Sequence, residues 1–288
     1  MIHISTANES SIFPYLSAIN QPNPASHKGQ NGKVLVIGGS SLFHGAVLWA
    51  AEAASHIADM VHVASTSENN EIIQKIKVMW QTGMVIKQKD ILEYAQEDDV
   101  ILVGNGMMRM GDEGEFTRKT VHDLITHFPD KQYVFDAGAI QMMDANWLSL
   151  LHIKAIVTPH LKEFETLFGI DISELPMEEK EKIVSQKATE FNCILLLKAV
   201  EDIISDGKKT VKVSGGNAGL TKGGTGDILA GITAGMCATS DPFSSAVVAS
   251  FLLKKTAEKL FSTKGHWYTA KDVISLFPSI YHSLIKEE

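Results

Sequence analysis

The feature that most constrains this chain is a set of short apolar runs, nearly all followed by a residue that turns the chain or carries a polar group. Lys33-Val34-Leu35-Val36-Ile37 runs into Gly38-Gly39, and Asp99-Val100-Ile101-Leu102-Val103 runs into Gly104. Tyr133-Val134-Phe135 ends on Asp136, Lys154-Ala155-Ile156-Val157 on Thr158, and Cys193 to Leu197 on Lys198; Met60 to Ala64 is a further run. Helical stretches such as His44 to Ala58, Glu113 to His127 and Met177 to Glu190 lie between them. Apolar strands alternating with helices predict an α/β fold whose mostly parallel central sheet is covered by helices on both faces. Such sheets bind ligands at the carboxyl ends of their strands. The informative loops are therefore those after Ile37, Val103, Phe135, Val157 and Leu197.

The 288 residues show no repeat or linker, so residues 1–288 read as one domain. Hydrophobic residues at 44% and charged residues at 21% supply a sizeable core and argue against disorder. The formal net charge of −8 and the absence of a dense Lys/Arg run argue against a nucleic-acid partner. An acidic chain that binds anions does so locally, with helix N-termini and a few lysines. Cys193 and Cys237 sit in apolar stretches and read as small buried hydrophobes; no CxxC, HExxH or EF-hand spacing marks a metal site. Met1 to Asn20 has neither a basic start nor a continuous apolar segment. The most apolar run, Ile228 to Ala238, is too short to span a bilayer, so a cytoplasmic protein with no membrane partner is expected. Residues 1 to about 30, with Pro14, Pro22 and Pro24, read as a poorly periodic leader.

The last third changes character. Asp202–Ser205 and Thr210–Val213 around Asp206-Gly207 predict a β-hairpin. Gly223-Gly224-Thr225-Gly226-Asp227 then opens into a helix from Asp227 to Ala238, followed by another from about Pro242 to Phe261. Glycines let backbone amides converge, and a helix start adds unpaired N–H groups and a positive dipole end. The loop is neither a Walker A motif nor GxGxxG. It suits a transferring phosphoryl group, with Gly226 expected in left-handed backbone against the phosphates. Asp227 reads equally as a helix cap or as a general base for a substrate hydroxyl.

Gly-Gly-Thr-Gly-Asp late in an α/β chain resembles the ribokinase-like superfamily. Further motifs in order sharpen the resemblance to the ADP/ATP-dependent NAD(P)H-hydrate dehydratases: Ser26-His27-Lys28-Gly29 with Gly32, Gly38-Gly39-Ser40 with Gly45-Ala46, Gly104-Asn105-Gly106, and Asp136-Ala137. Thr158-Pro159-His160 with Glu163-Phe164, Lys198 after a Leu-Leu run, and Asn217-Ala218-Gly219 complete the set over roughly residues 26–262. The chain departs from that pattern at Met107-Met108 after the GxG loop, Gly138 for an aspartate, Leu161-Lys162 for Pro-Gly and Ala199 for a glycine.

The resemblance implies a ribokinase-like three-layer fold and a carbon–oxygen lyase. It implies phosphorylation of the ring hydroxyl of (S)-NAD(P)H hydrate by ADP or ATP, then elimination to NAD(P)H with release of AMP or ADP and phosphate. Asp227 takes the hydroxyl proton, while amides around Gly224, Thr225 and Gly226 stabilise the moving phosphoryl group. Ala46, Gly106, His160 and Asp227 line the hydrate pocket; Lys198, Ala199, Val200, Glu201 and Asp202, with Gly226, hold the nucleotide. Mg2+ accompanies the phosphates, with no residue assigned to it. The resemblance further implies a homo-oligomer, a tetramer, and a separate NAD(P)H-hydrate epimerase, since no epimerase domain fits before Lys33. The stripe Val247, Val248, Phe251 and Leu252, with Trp267, Tyr268, Phe277, Ile280 and Tyr281, reads either as its interface or as packing within its own subunit, the commoner fate of such stripes. On their own, His160 reads as a helix cap and Lys198 as a solvated strand end. A related kinase for a thiazole or pyrimidine alcohol, or a non-catalytic nucleotide binder, fits the same glycine loop.

Overall fold

The structure is a computed structural model and describes residues 2–77 and 80–287. Ten strands form one sheet: β1 Ile2–Ser5, β2 Lys33–Ile37, β3 Met60–Ala64, β4 Met84–Ile86, β5 Val100–Val103, β6 Gln132–Phe135, β7 Ile156–Val157, β8 Ile194–Leu197, β9 Asp202–Ser205 and β10 Thr210–Ser214. Their order is β1-β10-β9-β8-β7-β6-β5-β2-β3-β4. Strands β2 to β8 run parallel; β9 is antiparallel to β8, and β10 to β9. Among the described residues eleven α-helices accompany them, the last three following β10: α1 Phe13–Leu16, α2 Gly45–Ser55, α3 Ser67–Ile76, α4 Ile91–Glu97, α5 Gly111–His127, α6 Ala137–Met142, α7 Leu161–Phe168, α8 Met177–Glu190, α9 Thr225–Cys237, α10 Pro242–Lys264 and α11 Ala270–Glu287.

The unbroken apolar runs follow from burial on both faces of the sheet. Side chains alternate across a strand. Val34 and Val36 enter a core under α2, α9, α10 and α11, while Leu35 and Ile37 enter a second core under α4 to α8. Val100 and Leu102 divide from Ile101 and Val103 in the same way. Both faces must therefore be apolar, as parallel α/β sheets require.

The predicted hairpin is present, with Thr210 opposite Ser205. The leader is more ordered than its composition suggests. Ile2–Ser5 pairs in parallel with β10, Ile2 opposite Val211, and closes that edge of the sheet. The interface stripe also needs correction. Val247, Val248, Phe251 and Leu252 are all 0% exposed, as are Tyr268 and Phe277, because α10 packs within its own subunit. Only Trp267 of that set stands out in solvent. Among the described residues no helix is long and apolar enough to cross a membrane.

Candidate active site

Helix α9 begins where the glycine loop ends, at the carboxyl end of the sheet. Gly224 is its N-cap, at φ 98°. A Cβ there would lie 2.8 Å from Ala270 Cβ and 2.9 Å from Trp49 Cδ1, so the turn needs glycine for both backbone and space. The left-handed position is thus Gly224 and not Gly226, whose φ is not positive. Thr225 turns its hydroxyl inward, donating to the carbonyls of Leu220 (2.7 Å) and Lys222 (2.9 Å). Its amide reaches back to Lys222 O at 3.4 Å. Thr225 therefore latches the loop, and neither of its polar hydrogens is free for a ligand.

The cap reading of Asp227 fails. Asp227 is the third residue of the helix, and no side chain caps α9. Its Oδ1 instead accepts a 2.8 Å bond from Asn105 Nδ2. The same nitrogen donates at 2.8 Å to Asp136 Oδ2, so one buried amide bridges two carboxylates. Asn105 is held there by the chain itself: Gly39 N–H donates to its carbonyl at 2.7 Å. Its side-chain oxygen is buried with no partner. Burial, with the Asp136 charge adding to it, pushes the Asp227 carboxyl up to about 7; the Asn105 hydrogen bond and Lys198 oppose this.

Lys198 is no solvated strand end. Its ammonium donates to Asp136 Oδ1 at 2.7 Å and lies 3.7 Å from Glu163 Oε2. Burial disfavours its charge, but Asp136 and Glu163 outweigh that and hold it above the usual lysine range. A Cβ built on Gly226 would have Lys198 Nζ at 3.7 Å, so the amine overlooks the start of α9. Thr158 completes the cluster, donating to Asp136 Oδ1 at 2.8 Å.

His160 is a helix cap. Its Nδ1 accepts from the amides of Lys162 and Glu163 at 3.1 Å, and Glu163 Oε2 accepts the His160 N–H at 2.9 Å. Its Nε2 lies 3.5 Å from Glu163 Oε1, and about half of the side chain is exposed at the rim of the site. Ala46 and Gly106 meet: a Cβ on Gly106 would fall 2.8 Å from that of Ala46.

Of the segment Lys198 to Asp202, only Lys198 faces the site with its side chain. Asp202 turns inward, accepting from Ala199 N (2.9 Å) and Ser250 (2.7 Å), with Lys254 Nζ at 3.4 Å. Its carboxylate shapes the turn. Glu201 pairs with Lys212 at 3.3 Å, and Val200 is 89% exposed. Ala199 is not in left-handed backbone, so its turn does not need the family's glycine. Motif membership gives Asp136, Glu163 and Asn105 no role of their own. What joins them is the meeting of three loops, which spacing along one chain does not encode.

A family model for NAD(P)H-hydrate dehydratase matches residues 34–279. The chain belongs to the NAD(P)H-hydrate dehydratase family. It is 34% identical over 273 residues to the bifunctional NAD(P)H-hydrate repair enzyme Nnr of Methanocaldococcus jannaschii, covering 92% of this chain and 51% of that protein. It is 31% identical over 265 residues to the ADP-dependent (S)-NAD(P)H-hydrate dehydratase of Cenarchaeum symbiosum, covering 88% of this chain and 90% of the relative. The chain thus spans about half the length of the bifunctional relatives and most of the shorter one. A hypothetical protein from Streptococcus mutans, SMU.573, superposes with a TM-score of 0.79 at 27% identity, covering 95% of this chain and 98% of the other. The ADP/ATP-dependent NAD(P)H-hydrate dehydratase of Bacillus subtilis, co-crystallised with ATP/Mg2+, shares the ribokinase-like fold at a TM-score of 0.79 and 21% identity, covering 98% and 99%.

Proposed function

We propose that this dehydratase-family chain converts (S)-NAD(P)H hydrate to NAD(P)H, using ADP or ATP as the phosphoryl donor. The observation that carries the reading is Asp227: a carboxylate at the start of the glycine-loop helix, bridged through Asn105 to Asp136 and held near neutrality. Hydroxide is a poor leaving group. Transfer of a phosphoryl group forms a P–O bond to the ring hydroxyl, breaks the nucleotide's terminal P–O bond, and sends the hydroxyl proton to Asp227. Phosphate then leaves with the C–O electron pair, and a neighbouring ring proton passes to the departing phosphate, restoring the double bond. A base near 7 is half ionised at neutral pH and still strong enough to take the proton.

The amide of Gly226 and the Lys198 ammonium are the groups proposed to neutralise charge on the moving phosphoryl, mainly by position and electrostatics. Ala46 and Gly106, with no bulk at their contact, leave room for the hydrate ring beside His160. The backbone from Lys198 to Asp202 is assigned to the nucleotide. The residues present do not make a resident magnesium site: among the described residues no group of three His, Cys, Asp or Glu could hold a metal. Asp136 and Glu163 already accept bonds from Lys198, Thr158, Asn105, Gln141 and the His160 backbone. Magnesium therefore enters as part of the nucleotide co-substrate. The same reading has the chain act on the S epimer of the hydrate and assemble as a tetramer in the cytoplasm.

The test mixes the purified protein with NADH hydrate, magnesium and either ADP or ATP. Recovery of NADH absorbance with stoichiometric phosphate release is expected. A stable phosphorylated product makes the protein a kinase, and nucleotide binding without either product makes it a non-catalytic binder.

A further inference from the structure

An open cavity of about 260 Å³ lies beside the catalytic cluster, lined by Arg109, Met110, Gln141, His160, Lys162, Glu163 and Thr166. It shares His160 and Glu163 with the site. Glu163 faces both ways: Oε2 meets Lys198 at 3.7 Å, while Oε1 accepts from Gln141 Nε2 at 3.2 Å. Gln141 Oε1 in turn accepts from Arg109 Nη1 at 2.9 Å. A relay of hydrogen bonds thus fixes a guanidinium at one wall of the cavity, one carboxylate away from Lys198.

Arg109 is one of only two arginines in the 288 residues. The other, Arg118, is structural: its guanidinium lies 4.7 Å over the Trp147 ring and donates to Met142 O at 3.0 Å. Arg109 differs. It is exposed, and its partner is a neutral amide, so its charge and remaining N–H donors stay available. Lys162, which also lines the cavity, is held by an exposed pair with Glu165 at 2.7 Å, weak enough for the amine to turn to a ligand. Lys162 is also a departure from the family pattern. A planar guanidinium and a mobile ammonium lining one cavity match phosphate oxygens.

The ligand follows from charge. A dinucleotide hydrate carries a diphosphate bridge, and in the NADPH form a further phosphate on the adenosine ribose. A chain of net charge −8 must meet these with local cations. Lys198 is already assigned to the moving phosphoryl group, so the dinucleotide's own phosphates need other cations. Ligand pockets usually run to about 300–1,000 Å³, so this cavity holds an end of the dinucleotide and not the whole. We propose that Arg109 and Lys162 bind a phosphate group of the dinucleotide substrate and thereby set its affinity. The inference rests on the proposed dehydratase reading for the substrate's identity.

The test compares wild type with Arg109→Gln and the Arg109→Gln/Lys162→Gln pair, using NADH hydrate and NADPH hydrate at fixed ADP or ATP. Losing a charge-assisted contact is expected to raise the hydrate KM roughly tenfold, with kcat and the nucleotide KM unchanged, and to flatten its salt dependence. A rise confined to NADPH hydrate identifies the ribose phosphate; an equal rise for both identifies the diphosphate. Hydrate KM values within twofold of wild type overturn the proposal, and so does a rise in nucleotide KM instead. NADPH fluorescence titration of the same proteins separates the two claims. If wild type dehydrates neither hydrate but binds NADPH tightly, and Arg109→Gln binds it weakly, the pocket stands and the reaction falls. Equal binding by both proteins overturns the pocket.

Discussion

Replacing Asp227 by asparagine is expected to abolish turnover and, at the same time, to stabilise the protein, by an amount that depends on pH. Holding this acid at about 7 instead of its usual 3.8 costs the ionised folded state about 4 kcal/mol, at 1.36 kcal/mol per pH unit. Below pH 4 both folded and unfolded chains carry the proton and no cost arises. Between pH 4 and 7 the unfolded chain releases it while the folded chain keeps it, so wild-type stability falls as pH rises. Above pH 7 the full cost is present. Asparagine removes it, because its side-chain oxygen still accepts from Asn105 and it adds no charge beside Asp136. The gain in Tm of Asp227→Asn over wild type is therefore expected to be near zero at pH 4. By pH 8 it grows to roughly 4–8 °C for about 2–4 kcal/mol.

Turnover shows the opposite. Removing a general base costs ~10²–10⁴-fold in kcat, or about 3–5 kcal/mol of barrier. Wild-type kcat is expected to climb about tenfold per pH unit below about 7 and to level above it, while the residual rate of the variant is flat. Scanning calorimetry from pH 4 to 8 and NADH recovery over the same range check both halves. A Tm difference that does not change with pH refutes the burial cost. A variant that keeps near-wild-type rate refutes the base.

Asn105→Ala removes the one donor shared by Asp227 and Asp136; the acid limb of the pH–rate profile is expected to move upward, and an unmoved limb would show the bridge to be structural only. Gly138→Ala places a Cβ 2.4 Å from Met107 O, an overpacked backbone contact expected to cost about 1–3 kcal/mol in denaturant melts; a change under about 0.5 kcal/mol contradicts the packing. Trp267, 86% exposed, is the one residue of the apolar stripe left in solvent to anchor the proposed oligomer. Light scattering is expected to report a multiple of the 31.4 kDa chain, and Trp267→Ala a lower one; a single-chain mass at all dilutions sinks the tetramer.

What was legible in the sequence was local. The strands β2, β3, β5, β6, β7 and β8 stand out because burial on two faces makes each a continuous apolar run. Helix α9 is marked by the glycine loop before it and the β9–β10 hairpin by Asp206-Gly207. Strand β1 was not legible: four residues, two of them exposed, gain their pairing from β10, whose partner residues lie more than two hundred positions away. The α10 stripe was legible as apolar, but whether it met its own core or a second chain depended on packing that periodicity does not carry. In the site, Asp227, Lys198 and His160 were recognisable by type. The bridge through Asn105 and the Lys198–Asp136–Glu163 cluster were not, since each joins loops from different strands.

The departures from the family pattern are not independent. The carbonyl of Met107 occupies the space that a Gly138 side chain would need, so an aspartate at 138 and the Met107-Met108 loop in this conformation exclude one another. Gly138 N–H is bonded to Gly104 O at 3.1 Å, and Met107 N–H to the same carbonyl at 2.9 Å. The GxG loop and the Asp136 loop are thus clamped on one oxygen. The clamp sets the distance between Asn105 and Asp136, and through Asn105 the position of Asp227. Restoring aspartate at 138 alone is expected to break the clamp and lower kcat along with stability. Restoring it together with a replaced Met107-Met108 loop should recover both, and a double variant no better than the single one would separate the two departures after all.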